Sequence, residues 1–278
     1  MQAAEMRELA EALLSVSLKA ARVQMGHFAA GVAEETKADL TPVTVADRES
    51  EEIILEGLSR AAPGVPIISE EAAADGRLPG IRDTFFLVDP LDGTRSFLRG
   101  SPQFTINIAL VINRLPVFGL VYAPALSDFF ITVGPADARS VQLPPTSSVQ
   151  RLADCALEPL RTRIPDPKAL RALISETSAN AATRDFLNKY NVLDTRSFSS
   201  SLKFGLLARG EADLYPRTGE TSEWDTAAGH AVLAAAGGTV TTLDGQPFTY
   251  GKPRFLNPAF VAWARAPMPD EAGPERKS

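Results

Sequence analysis

The chain is poor in the residues that build soft-metal sites and cross-links. Its 278 residues include one cysteine, Cys155, and two histidines, His27 and His230. One cysteine forbids an intrachain disulfide, and a reducing compartment is the simplest reading. Cys155 has no basic neighbour in sequence to activate it, so it reads as inert. Neither histidine has a ligand partner at useful spacing, which argues against zinc. No apolar run approaches the roughly 18 residues a membrane span needs. The first residues lack the basic start and apolar centre of a signal peptide, and begin instead as an amphipathic helix. With 28 Lys and Arg against 34 Asp and Glu, the net charge is −6, and a broad nucleic-acid surface is not expected. Hydrophobic content of 45% with 22% charged residues is that of a globular chain long enough for a sizeable core. The expected location is the cytoplasm.

Leu9, Leu13, Val16, Ala20 and Val23 recur at steps of three and four, predicting a helix through about residue 28. After a loop with Lys37, "TPVTVADRESEEIILEGL" opens a second helix, with Thr44 and Asp47 at capping-box spacing. Ile67–Ser69 reads as a short strand ending in two acids, Glu70 and Glu71. Phe85–Val88 reads as a strand and "DPLDG" as a turn. "FTINIALVINRLPVFGLVYAP" reads as a hairpin connected by Asn113–Pro116, followed by a strand at Asp128–Val133. Gly134–Gln150 is loop-rich and marks a plausible boundary.

Beyond the boundary strands and helices alternate: strand Ala172–Ser175, helix Ala181–Tyr190, strand Val192–Phe198, helix Ser200–Arg209 and strand Asp213–Tyr215. A helix at Asp225–Ala236 stops at Gly237-Gly238, and Phe255–Trp263 is the last strand. The implied organisation is an α+β sandwich in two halves, 1–145 and 146–267, with a disordered tail at 268–278.

Against this scarcity of soft ligands stand carboxylates at the ends of elements: Asp47, Glu70, Glu71, Asp89, Asp92 and Asp225. Taken singly, each has an ordinary explanation. Asp47 completes a capping box, Asp225 caps a helix, Asp-Pro and Asp-Gly form turns, and Glu70-Glu71 is a solvated pair. Taken together, clustered carboxylates are costly unless a cation neutralises them, and hard oxygen donors select Mg²⁺ or Mn²⁺. If a helix starts after Asp92, the amides of Gly93 and Thr94 offer an anion site, and glycine permits close approach. Two divalent cations beside a phosphate suggest phosphoester hydrolysis.

Four segments, "PVTVAD" (Pro42–Asp47), "SEE" (Ser69–Glu71), "VDPLDGT" (Val88–Thr94) and "EWDTAAG" (Glu223–Gly229), resemble in order and spacing the inositol monophosphatase superfamily of lithium-sensitive, Mg²⁺-dependent phosphatases. The resemblance implies a layered αβαβα sandwich of the inositol monophosphatase/fructose-1,6-bisphosphatase type. It also implies two to three Mg²⁺ ions, with Mn²⁺ as an alternative. Glu70, Asp89 and the carbonyl of Leu91 would hold one ion, and Asp89, Asp92 and Asp225 a second, with a weaker third near Glu70. Asp47 and Thr94 would activate the attacking water, with Glu70 also catalytic, and Gly93 and Thr94 would cradle the phosphate.

"FTINIALV", "SSLKFGLLARGEADLYPR" and "SEWDTAAGHAVLAAAGG" are most similar to the branch of bacterial 3′(2′),5′-bisphosphate nucleotidases. That branch removes the 3′-phosphate of adenosine 3′,5′-bisphosphate, a by-product of sulfate activation. There Lys203 and Arg217 would hold the second phosphate; their plain alternatives are a solvated helix face and a strand-end surface charge. The chain departs from the branch at Arg95-Ser96 (for Lys-Glu), at Gln103 (for Glu) and at Gly219-Glu220-Thr221 (for Gly-Pro-Thr). The resemblance implies a small phosphorylated substrate and a monomer or homodimer, with a peripheral seat on the inner membrane, as some bacterial relatives take, as a second location. Charge and hydropathy add the expectation of no nucleic-acid partner and no integral membrane contact. Two alternatives remain open: a phosphatase for inositol or other sugar phosphates, and a non-catalytic metal- or nucleotide-binding protein.

Overall fold

The computed structural model describes residues 1–31, 34–36, 42–176 and 180–265. Lys37 and the tail expected at 268–278 lie outside them. Among the described residues the helices are α1 (Ala3–Ala30), α2 (Val45–Ala61), α3 (Glu70–Ala74), α4 (Thr94–Leu98), α5 (Ala181–Leu187), α6 (Leu202–Ala208) and α7 (Ala227–Ala235).

A seven-stranded sheet runs in the order 67–69, 84–92, 105–112, 115–123, 128–134, 137–142 and 158–159; its first pair is parallel and the rest antiparallel. Its middle strands read as unbroken apolar runs because both faces are covered. Phe86, Val88, Ile106 and Ile108 face α1 and α2 together with Leu13, Leu14 and Ile54. Phe85, Leu87, Ala109 and Val111 face the other way and pack with Phe204 of α6 and with Ala228 and Val232 of α7. The alternation of side chains along a strand thus sorts one sequence into two cores.

A five-stranded mixed sheet, in the order 192–198, 170–175, 214–217, 260–263 and 239–242, lies beyond α6 and α7. Its outer face packs Leu170, Leu214 and Trp263 against Phe186 of α5. The layers are therefore helix, sheet, helix, sheet and helix, as expected for the αβαβα sandwich. Gly119, on a central strand, lets α7 approach closely: a Cβ there would stand 2.2 Å from the carbonyl oxygen of Ala228.

Several local expectations change. The strand expected at Phe85–Val88 runs from Thr84 to Asp92, so "DPLD" is strand and not turn. The hairpin connection shortens to Asn113 and Arg114, both at positive φ (49° and 67°), as a two-residue turn of matching twist requires. The loop-rich stretch after Gly134 contains a strand, Asp137–Gln142, whose polar residues gave no apolar alternation. Thr239–Thr242 is a further unforeseen strand. The last strand divides into Leu256–Asn257 and Phe260–Trp263, and the first piece pairs with Thr221–Ser222. The expected helix at 181–190 ends at Leu187, and that expected at 225–236 spans Ala227–Ala235.

Candidate active site

The strand Thr84–Asp92 enters the site through an irregularity. Asp89 pairs with Asn107 and Asp92 with Thr105, so this strand carries one residue more than its antiparallel partner. In a regular strand, residues three apart point to opposite faces. The extra residue, beside a proline that has no amide proton to give the ladder, turns Asp92 to the face Asp89 already occupies. Gln24 of α1, buried, donates through Nε2 to the Pro90 carbonyl (2.6 Å) and braces the bulge from the other core. Asp89 itself is 1% exposed, and its Oδ1 accepts from the Leu91 amide (3.0 Å).

The parallel neighbour strand sets Ser69 beside Val88, which places Glu70 next to Asp89. Glu70 opens α3, whose Ala72 amide donates to Glu51 Oε1 of α2 (3.2 Å). The next acid, Glu71, is buried, contrary to the reading of the pair as solvated.

Asp47 does the capping-box job and a second one. Its Oδ2 accepts from the Thr44 amide (2.8 Å) and hydroxyl (2.7 Å). Its Oδ1 lies 3.1 Å from Thr94 Oγ1, which is also 3.2 Å from the Leu91 carbonyl. A hydroxyl has one proton, so Thr94 serves one acceptor at a time. Between Asp92 and Thr94, Gly93 adopts φ 97°, and a Cβ there would press on the Gln103 carbonyl at 3.1 Å; a side chain is resisted on both counts.

Asp225 precedes α7 but does not cap it; that position belongs to Thr226. Asp225 Oδ2 instead accepts from the Ser222 amide (2.8 Å). The loop is held by Glu223, which is fully buried and accepts from the amides of Gly251 (2.7 Å) and Lys252 (2.9 Å) and pairs with the Lys252 ammonium (2.6 Å).

Glu70, Asp89, Leu91, Asp92, Gly93, Thr94, Lys203, Arg217 and Asp225, all expected from the sequence, line one cavity of about 240 Å³. Asp47 stands behind it through Thr94. Burial, reinforced by the charges of Asp92 and Glu70, pushes the Asp225 carboxyl well above the usual carboxylate range. A cation among these oxygens would offset that repulsion, and the donor chemistry fits a hard ion. Yet among the described residues no three Asp, Glu, His or Cys side chains are set closely enough to hold a metal ion as they stand. The acids share a wall without forming a closed cage.

Lys203 is not on a solvated face. It is 2% exposed, donates to the carbonyls of Phe198 (3.0 Å) and Ser200 (2.6 Å), and lies 4.9 Å from the Tyr215 ring centre. Burial pushes its ammonium down to about 7, with Asp92 opposing the fall and Arg217 adding to it. Arg217 is half-buried at the end of its strand, and its Nη2 donates to the Glu220 carbonyl (3.3 Å). His230 is buried against Tyr250, and burial lowers it to about 4; His27 meets Glu49 at the surface. Burial raises the Cys155 thiol, in keeping with its inert reading. Sequence reasoning missed Gln24, Asn107 and Ser201, small polar residues inside apolar patterns that carry no local signature.

The family profile of the inositol monophosphatases matches residues 4–269, and the chain belongs to that family of enzymes. Among curated relatives, the 3′(2′),5′-bisphosphate nucleotidase CysQ of Shigella flexneri is 39% identical over 81% of this chain and 86% of that protein. The protein of the same name from Escherichia coli K12 is 38% identical over the same shares. Among solved structures, CysQ from Bacteroides thetaiotaomicron superposes with a TM-score of 0.74 at 32% identity, covering 94% of this chain and 98% of that one. The inositol monophosphatase of Anabaena superposes at 0.72 with 25% identity, covering 95% and 93%. Among the described residues no helix is long and apolar enough to cross a membrane.

Proposed function

We propose that the protein is a Mg²⁺-dependent 3′(2′),5′-bisphosphate nucleotidase. It removes the 3′-phosphate of adenosine 3′,5′-bisphosphate, or of its sulfated form, to give AMP or its sulfated counterpart in the service of sulfur assimilation. The observation that carries this reading is a single cavity lined both by carboxylates and by the cations Lys203 and Arg217. A bisphosphate needs both kinds of group: one phosphate is to be cleaved and one held by charge-assisted bonds.

In this reading Glu70, Asp89, the Leu91 carbonyl, Asp92 and Asp225 hold two to three Mg²⁺, with Mn²⁺ able to replace it. When bound, such ions supply polarisation of the ester and a lower pKa for the attacking water. The chain's own part is positional. Thr94 Oγ1 accepts a water proton as it passes its own to Asp47 Oδ1, the acceptor 3.1 Å away. The amides of Gly93 and Thr94 hold the phosphoryl oxygens, and Lys203 and Arg217 hold the second phosphate. Residues 1–145 then supply most of the carboxylates, and 146–267 supply Asp225 and the substrate contacts.

One observation favours a phosphatase for inositol or sugar phosphates instead: Lys203 already gives two of its three protons to carbonyl groups. The hydrogen-bonded Asp47–Thr94 pair weighs against a non-catalytic binding protein, since binding alone needs no water activation. Phosphate release at fixed Mg²⁺ decides. A higher kcat/KM for adenosine 3′,5′-bisphosphate than for inositol 1-phosphate is expected, and the reverse order would reject the assignment.

A further inference from the structure

Asp92 and Asp225 come from opposite halves of the chain, so something must fix one relative to the other. The turn Phe198–Ser201, which leads into α6, touches both. The Ser201 amide donates to Asp92 Oδ2 (2.6 Å), while its hydroxyl donates to the backbone carbonyl of Asp225. Asn107 closes the ring: its Nδ2 reaches Asp92 Oδ2 at 3.2 Å and Ser201 Oγ at 3.0 Å. Ser201 and Asn107 are 2% and 1% exposed, so water offers little substitute for these bonds. Oδ2 of Asp92 is taken by these two donors and, at 3.5 Å, by the Thr105 hydroxyl, which leaves Oδ1 as the oxygen available to a cation.

The turn is itself over-determined. Ser200 sits at φ 56°, costly for a residue with a side chain. The Lys203 ammonium clamps the carbonyls on either side of Ser199. Ser199 accepts at its hydroxyl from Ser96 (2.8 Å), donates onward to Glu176 (3.0 Å), and gives its amide to Gln103 Oε1 (2.8 Å). Ser96 and Gln103 are two of the positions where the chain departs from its branch, and both are spent on holding this turn.

We infer that Ser201, with Asn107, is a positioning residue that sets Asp92 and Asp225 at a fixed separation for cation binding. Lys203 stiffens the turn from below, so its loss harms hydrolysis of every phosphomonoester, including those with no second phosphate. The inference rests on the cation site of the proposed function. Its test is a Mn²⁺ titration of the full chain without substrate, followed by electron paramagnetic resonance, for wild type and Ser201→Ala. An affinity about tenfold weaker in Ser201→Ala, typical for loss of a group that orients a ligand, supports the inference. Unchanged affinity in a folded Ser201→Ala protein, with wild type binding Mn²⁺, overturns it and leaves the proposed function standing. A wild type that binds no Mn²⁺ removes both. Should Ser201→Ala not fold, Asn107→Ser deletes the amide donor to Asp92 and is read in the same way. As a second readout, Lys203→Met should lower kcat for a simple monophosphate ester at saturating cation; a loss confined to the bisphosphate overturns the clamp.

Discussion

The acids and the cations that line the cavity are held to different degrees. Asp47, behind it, and Asp89, Asp92 and Asp225, in its wall, each accept from at least one backbone amide, so the anions are set by the main chain. Among the cations only Lys203 is buried and tied to main-chain carbonyls, whereas Arg95 and Arg99 extend into solvent. Backbone donors cannot swing away, and a charge that must be placed to a fraction of an ångström is best held by them. A phosphate that only has to be retained tolerates longer, looser side chains.

The sharpest way to break the acids is Asp89→Asn. Turnover should fall by about a thousandfold, since under the proposed function Asp89 would hold cation, while circular dichroism stays native because like-charge repulsion is relieved. Near-wild-type phosphate release would contradict the site. Asp47→Asn comes next, with a loss of about a hundredfold in kcat from removing the base of the proposed function. Its thermal stability should drop only slightly, because the Asn side-chain carbonyl still accepts from the Thr44 amide across the capping box.

Lys203→Met probes the cations. In the wild type the ammonium, pushed down to about 7, is charged below that pH and neutral above it. Its attraction for a second phosphate is therefore present below pH 7 and lost as pH rises. The ratio of kcat/KM for the bisphosphate to that for a monophosphate should fall above pH 7 in wild type and stay flat in Lys203→Met. Stability carries the same signature. The unfolded lysine holds its proton up to its ordinary value, so wild type gains stability from pH 7 upward, and the variant lacks that rise. Arg99→Ala gives the smallest effect. Its contact with Glu176 is 3.6 Å long with 61% and 35% exposed side chains, and its removal should cost less than about 0.5 kcal/mol in a thermal melt.

Much of this site was legible because chemistry that needs acids leaves acids in the sequence. Four motifs named every carboxylate that lines the cavity, and the layered fold followed from apolar runs separated by turn residues. What could not be read were properties of register and closure. Pro90 and Gly93 made "DPLDG" look like a turn, and only the pairing of Asp89 with Asn107 and of Asp92 with Thr105 shows it to be a bulged strand. Asp47 could be read as a cap or as a base; one of its oxygens closes the capping box while the other meets the Thr94 hydroxyl, a pairing that local spacing did not show. Ser201, Asn107 and Gln24 are buried polar residues whose partners lie 109, 15 and 66 residues away, beyond the reach of any local pattern. Asp137–Gln142 forms a strand by hydrogen bonding to its neighbour, with a composition that elsewhere would make a loop.

The bare position at Gly119 reaches further than its own strand. Because nothing projects there, the first turn of α7 settles onto the sheet, and the loop carrying Asp225 is drawn in with it. Adding a single methyl would jack that helix outward like a wedge under a door. The damage would be felt in the placement of Asp225, far from the atom that was added.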